Sequence, residues 1–99
     1  MKILASLFMA ALVLVVASGK TNASDRQAVY DQNCGICHNA IAPKLGDKAA
    51  WAPRLKQGTD TLVHNVIKGK GAMPPRAGKP NLSDADIKAA VEYMESKAQ

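Results

Sequence analysis

Cys34-Gly35-Ile36-Cys37-His38 is the stretch on which the reading of this chain turns. Two cysteines three positions apart fall on the same side of one helical turn. Their sulfurs can reach the two vinyl groups on one edge of a porphyrin and form thioethers. The histidine that follows can swing its imidazole under the ring and bind iron as the proximal ligand. In an exported protein, Cys-x-x-Cys-His therefore points to covalent attachment of a c-type haem. Three other readings compete. A redox dithiol wants a βαβ setting, and the chain has no convincing strand pattern. A zinc site built from Cys34, Cys37, His38 and His64 lacks the usual second ligand pair. A small local disulfide is the third.

The leader bears on the compartment. Met1-Lys2 gives a short positive start, and Ile3 to Ala17 is a run of 15 residues broken only by Ser6. Small and polar residues follow up to Ala23, which is the layout of a secretory signal peptide. The run is short for a spanning helix, which needs ~20 residues; an uncleaved membrane anchor is the alternative. Cleavage after Ala23, preferred over cuts after Ala17 or Gly19, would divide the chain into a leader, 1–23, and a mature monohaem domain, 24–99, destined for the periplasm. That domain has 76 residues and, without Lys2 and Lys20, 11 basic against 8 acidic residues, a net charge of +3. A mildly basic surface favours acidic partners through electrostatic steering. It is too weak and scattered for nucleic acid. Domains of this size need a staple, and a buried haem would serve as one.

Along the mature chain the pattern predicts an all-α domain of three to four helices wrapped around the haem. Ser24-Asp25-Arg26-Gln27 fits a capping box for a first helix, with Val29 and Tyr30 facing inward and the cysteines at its C-terminal end. Asn39 to Gly46 reads as loop. Asp47 caps a short helix through Trp51, limited by Pro53. Thr59 caps a helix with Leu62, Val63, Val66 and Ile67 on one stripe, stopped at Gly69. Gly71, Pro74, Pro75, Gly78 and Pro80 exclude regular structure between Lys70 and Asn81. Ser83 caps the last helix, whose Ile87, Ala90, Val91 and Met94 make a buried face.

A low-spin haem electron carrier needs a sixth ligand. Met94 lies on a core stripe and reads as filler. His64 stands alone within a helix and reads as a surface or structural histidine. Met73 sits where regular backbone pairing is absent and prolines stiffen the chain, so its thioether can be held inward; an apolar loop plug is the alternative. His38 and Met73 together would make a six-coordinate iron with no open site for oxygen or peroxide. That favours electron transfer over catalysis. The competing class is a small haem enzyme or ligand sensor with a labile sixth ligand.

With these residues placed, the chain resembles the class I c-type cytochromes, most closely the small bacterial cytochrome c-five group. The matching stretches are Cys34 to His38, Ala42-Pro43-Lys44-Leu45-Gly46-Asp47, Trp51 to Arg54, Gly71 to Pro75, and Ser83-Asp84 leading to Val91-Glu92-Tyr93-Met94. They cover nearly all of the mature chain. The resemblance implies first and last helices that cross and one covalent haem c with its iron. It also implies a carbonyl of Pro43 that accepts a hydrogen bond from His38 Nδ1, and a haem propionate near Trp51 and Arg54. The residues themselves also allow a core aromatic at Trp51 and a solvated charge at Arg54. The function implied is that of a soluble periplasmic one-electron carrier between respiratory complexes. It would serve a quinol-oxidising complex and a terminal oxidase or reductase as a monomer or weak dimer, touching the membrane only through these partners. Lys44, Lys70 and Lys79 would ring the exposed haem edge. One departure stands out: the group often carries a second cysteine pair after the methionine loop, where this chain has Lys79 and Leu82. The loop must then be held without a disulfide.

Overall fold

The computed structural model describes residues 23–99. Of the expected leader, 1–23, all but Ala23 lies outside the described residues. Five helices follow in order: α1 (Ala23–Asn33), α2 (Gly35–His38), α3 (Lys48–Leu55), α4 (Thr59–Lys68) and α5 (Asp84–Lys97), with a tight turn of left-handed backbone at Pro75–Gly78 before the last. Among the described residues the only extended pairing is an isolated bridge between Lys70 and Met73. The domain is all-α, as the periodicity predicts. The count exceeds four because α2 is a separate single turn.

The helix starts follow their capping chemistry. Asp47 accepts from the Ala50 amide at 3.2 Å and Ser83 from the Asp86 amide at 3.0 Å, each satisfying a donor that a helix start leaves orphaned. Two expected caps differ. Ser24 lies inside α1, which begins at Ala23. Gly58 takes the cap position of α4, because the Thr59 hydroxyl is drawn across to Glu95 Oε1 at 3.0 Å. Pro53 does not end α3, which continues to Leu55. The proline removes one backbone bond, but the turn around it stays helical where Trp51 and Leu55 pack on the core.

The core lies where α1, α3 and α4 pack against α5. Ile87, Ala90, Val91 and Met94 are buried, joined by Ala89 on the same helix. α1 packs along α5 through Tyr30 and Tyr93, whose rings stand 5.1 Å apart and tilted by 42°. Arg26 and Glu92 form an ion pair at 3.8 Å beside them. This scaffold presents α2 on one side of a cleft and the Lys70–Asn81 loop on another. No helix of the described residues is long and apolar enough to cross a membrane.

Candidate haem site

α2 exists because the chain bends after Asn33 and restarts. The Cys34 amide still donates to the Tyr30 carbonyl at 2.8 Å, closing α1, while the Cys34 carbonyl accepts from the His38 amide at 2.9 Å, opening the next turn. Gly35 leaves room for close packing at this point: a Cβ there would sit 3.1 Å from Asn39 Nδ2 and 3.3 Å from the Tyr30 ring. That space is taken by a hydrogen bond from the Tyr30 hydroxyl to Asn39 Oδ1 at 2.7 Å. The motif is thereby fastened to the most deeply buried residue of α1. Burial, followed by the charges of Cys34, Tyr93 and Asp31, pushes the Tyr30 phenol up to about 12.

Cys34 is buried and Cys37 exposed, and both thiols are free. Burial pushes the Cys34 thiol up to about 11; Lys79 opposes that shift and Cys37 adds to it. A thiol held in its neutral form is a poor nucleophile for disulfide exchange. His38 Nδ1 lies 2.9 Å from the Pro43 carbonyl oxygen. A carbonyl can only accept, so Nδ1 carries the proton and the Nε2 lone pair is left for a metal.

These residues share one cavity of about 690 Å³. Cys34, Cys37 and His38 line it from α2, Met73 and Ala77 from the loop, and Met94 from the core. Most of its surface is apolar, and its size falls within the ~300–1,000 Å³ typical of cofactor pockets. His64 is exposed, and among the described residues it is not part of this wall. Nor do three or more His, Cys, Asp or Glu side chains converge on a metal site among them.

Trp51 and Arg54 also line the cavity. The single N–H of the Trp51 indole donates to the Lys44 carbonyl at 2.9 Å, so the ring offers the cavity its apolar face. Arg54 Nη1 donates to the Ala50 carbonyl at 2.6 Å, leaving the other guanidinium donors available. Lys79 Nζ reaches the Gln32 carbonyl at 2.8 Å, tying the loop to α1. Ile36 and Ile41 stand 85% and 61% exposed at the rim of the same cavity.

The sequence reading missed two features. Gly69 was legible only as a helix stop, yet a Cβ on it would meet Pro75 N at 2.8 Å and the Met73 carbonyl at 2.9 Å. Arg76 carried no signal beyond its place after two prolines in a loop without cysteine. Its guanidinium reaches the Leu82 carbonyl and Asp84.

Residues 21–94 match the model of the family described as cytochrome C oxidase, cbb3-type, subunit III. Cytochrome c-555 of Chlorobaculum tepidum is 45% identical over 97 residues, covering 91% of this chain and 90% of its own. Cytochrome c5 of Azotobacter vinelandii is 38% identical, covering 77% and 94%. The chain belongs to this c-type cytochrome family, in its class I, c5-like branch. A solved chain in the crystal structure of the electron transfer complex of nitrite reductase with cytochrome c is 49% identical, with a TM-score of 0.71 over 76% of this chain and 95% of that one. As a cytochrome c, the protein carries one covalently bound haem c and transfers electrons; it is not an enzyme. The residues present fit that group. The cavity has the size and apolar lining for a porphyrin, two thiols stand on one wall, and a histidine faces it with its outer nitrogen already hydrogen-bonded. When bound, the haem supplies a one-electron iron couple; the chain supplies attachment, ligands and exclusion of water.

Proposed function

We propose that Cys34 and Cys37 hold the haem as thioethers, that His38 and Met73 are its two axial ligands, and that the protein shuttles single electrons in the periplasm. The observation that supports this most is the shared cavity. His38, with Nδ1 committed to Pro43, and Met73, on the proline-stiffened loop, both line it. A thioether is a soft ligand that favours ferrous iron and raises the potential relative to a second histidine. With both axial positions filled there is no site for substrate. Arg54 would meet a haem propionate with its remaining donors, while Trp51 would pack its ring against the porphyrin and shield it.

Ile36 and Ile41 give the cavity rim an apolar contact, and Lys44, Lys70 and Lys79 would surround it with positive charge. Such a surface fits acidic docking faces on a quinol-oxidising complex and on a terminal oxidase or reductase. The solved complex of a similar chain with nitrite reductase supports the reading that a reductase is one of the acceptors. A cleaved leader, residues 1–23, would deliver the 24–99 domain to the periplasm.

The test is optical. The oxidised protein should show the weak thioether–iron charge-transfer band, and Met73→Ala should abolish it. The reduced protein should bind carbon monoxide only slowly at neutral pH. A missing band, or fast carbon monoxide binding, would contradict the ligand assignment. The N-terminal mass of the exported protein separates a cleaved leader from a membrane anchor.

A further inference from the structure

The Lys70–Asn81 loop contains no buried residue and no cysteine, yet it takes a specific and unfavourable shape. Arg76 and Ala77 both adopt φ 55°, with ψ 33° and 27°. The left-handed region is disfavoured for any residue with a Cβ, and two such residues in succession persist only when their surroundings hold them. Arg76 supplies that hold. Its Nη1 donates to the Leu82 carbonyl at 2.8 Å, and its Nη2 pairs with Asp84 Oδ1 at 2.8 Å. Leu82 is buried and Asp84 is the first residue of α5, so the guanidinium spans from the loop to the rigid start of the last helix.

We propose that Arg76 is a positioning residue for Met73: by clamping the left-handed turn to Leu82 and Asp84, it keeps the methionine sulfur against the iron. The proposal rests on the reading of Met73 as an axial ligand. Only Pro74 and Pro75 separate the two residues, and each has a fixed φ. Fixing Arg76 therefore fixes Met73 through a short, stiff segment. Ala77, inside the strained turn, lines the same cavity as Met73. The two arms of the clamp differ in weight. Asp84 is 68% exposed at its side chain, and exposed ion pairs contribute little. The bond to the carbonyl of buried Leu82 is charge-assisted and half-sheltered, which makes it the stronger arm. A lysine cannot reproduce the fork.

The experiment uses the oxidised holoprotein and imidazole, which replaces Met73 only when the loop opens. At saturating imidazole the exchange rate reads the opening rate. Arg76→Ala should raise it about tenfold, Arg76→Lys should fall between, and Asp84→Asn should stay within about twofold of the parent. Amide hydrogen exchange at Ala77 and Lys79 should accelerate in Arg76→Ala while that at Val91 in the core stays as in the parent. Unchanged exchange at Ala77 and Lys79, or equal acceleration at all three amides, overturns the proposal. So does an unchanged imidazole rate in a protein whose thioether–iron band is lost in Met73→Ala. If Met73→Ala leaves the parent spectrum intact, the ligand assignment fails instead, and the amide exchange still decides whether Arg76 holds the loop.

Discussion

The α1–α5 pair and the Lys70–Asn81 loop face the same cavity but are held in different ways. Along the helix pair, Tyr30, Ile87, Val91 and Met94 are almost completely removed from water, and the polar contacts are few and peripheral. In the loop every residue keeps some exposure. Its shape comes from a tight Lys70–Met73 turn with two 3.0 Å hydrogen bonds, the absent side chain of Gly69, the Arg76 clamp and the Lys79 tie to Gln32. Apolar burial is collective and tolerates local loss, whereas a loop held by a handful of directional contacts opens as a unit. The helix pair should therefore set the stability of the fold, and the loop should set how firmly the sixth ligand stays in place.

The largest expected effect lies on the helix pair. Ile87→Ala removes a side chain that is 1% exposed and should lower unfolding free energy by about 2–5 kcal/mol in denaturant titration. The molecules that remain folded should keep the parent charge-transfer band. A weakened band at full folding would mean that the two regions are not separable.

That division also governs what could be read from the sequence. The stripe Ile87, Ala90, Val91 and Met94 was legible because burial repeats with the helical period. Asp47 and Ser83 were legible because caps have a side-chain signature. That Cys34, Cys37, His38 and Met73 would face one site was legible because haem chemistry restricts residue type and spacing, and the fold places all four along one cavity. The left-handed backbone at Arg76 and Ala77 was not, since neither residue type favours it and the restraint comes from Leu82 and Asp84. Nor was the continuation of α3 through Pro53, or the capture of Thr59 by Glu95, a contact 36 positions away in sequence. Tertiary packing decides such points, and local pattern is silent on them. The indole of Trp51 shows the same limit: the resemblance implies a place near a haem propionate, but only the fold shows its N–H committed to the Lys44 carbonyl.

On the loop side, Gly69→Ala should act with less force on the fold and more on the ligand. The residue has φ +84° and no room for a Cβ beside Pro75 and Met73. With ψ 152° the backbone lies in a region that is essentially glycine-only, and the penalty for replacing glycine there is about 1–3 kcal/mol. It should appear as a weaker charge-transfer band and faster imidazole exchange, with a smaller change in global stability than Ile87→Ala produces. A purely global loss would erase the contrast between the regions.

The smallest effect at neutral pH belongs to Tyr30, and it grows at high pH. The fold raises the phenol from its ordinary 10.0 to about 12, chiefly by burial, so the protonated form is the one the folded state favours. Its contribution is complete below pH 10 and is lost as pH rises from there through about 12. Denaturant titrations of parent and Tyr30→Phe should diverge over that window, with the parent falling more steeply. Parallel curves would remove the buried phenol as a cause of alkaline instability.

The central claim is that a porphyrin is covalently joined to Cys34 and Cys37, and intact mass measured together with the visible spectrum tests it most directly. Natively exported protein should be coloured, and after denaturation it should still weigh one haem more than its mature polypeptide. Cys34→Ala together with Cys37→Ala should abolish that increment. A colourless protein whose mass equals its amino acids alone would contradict the account.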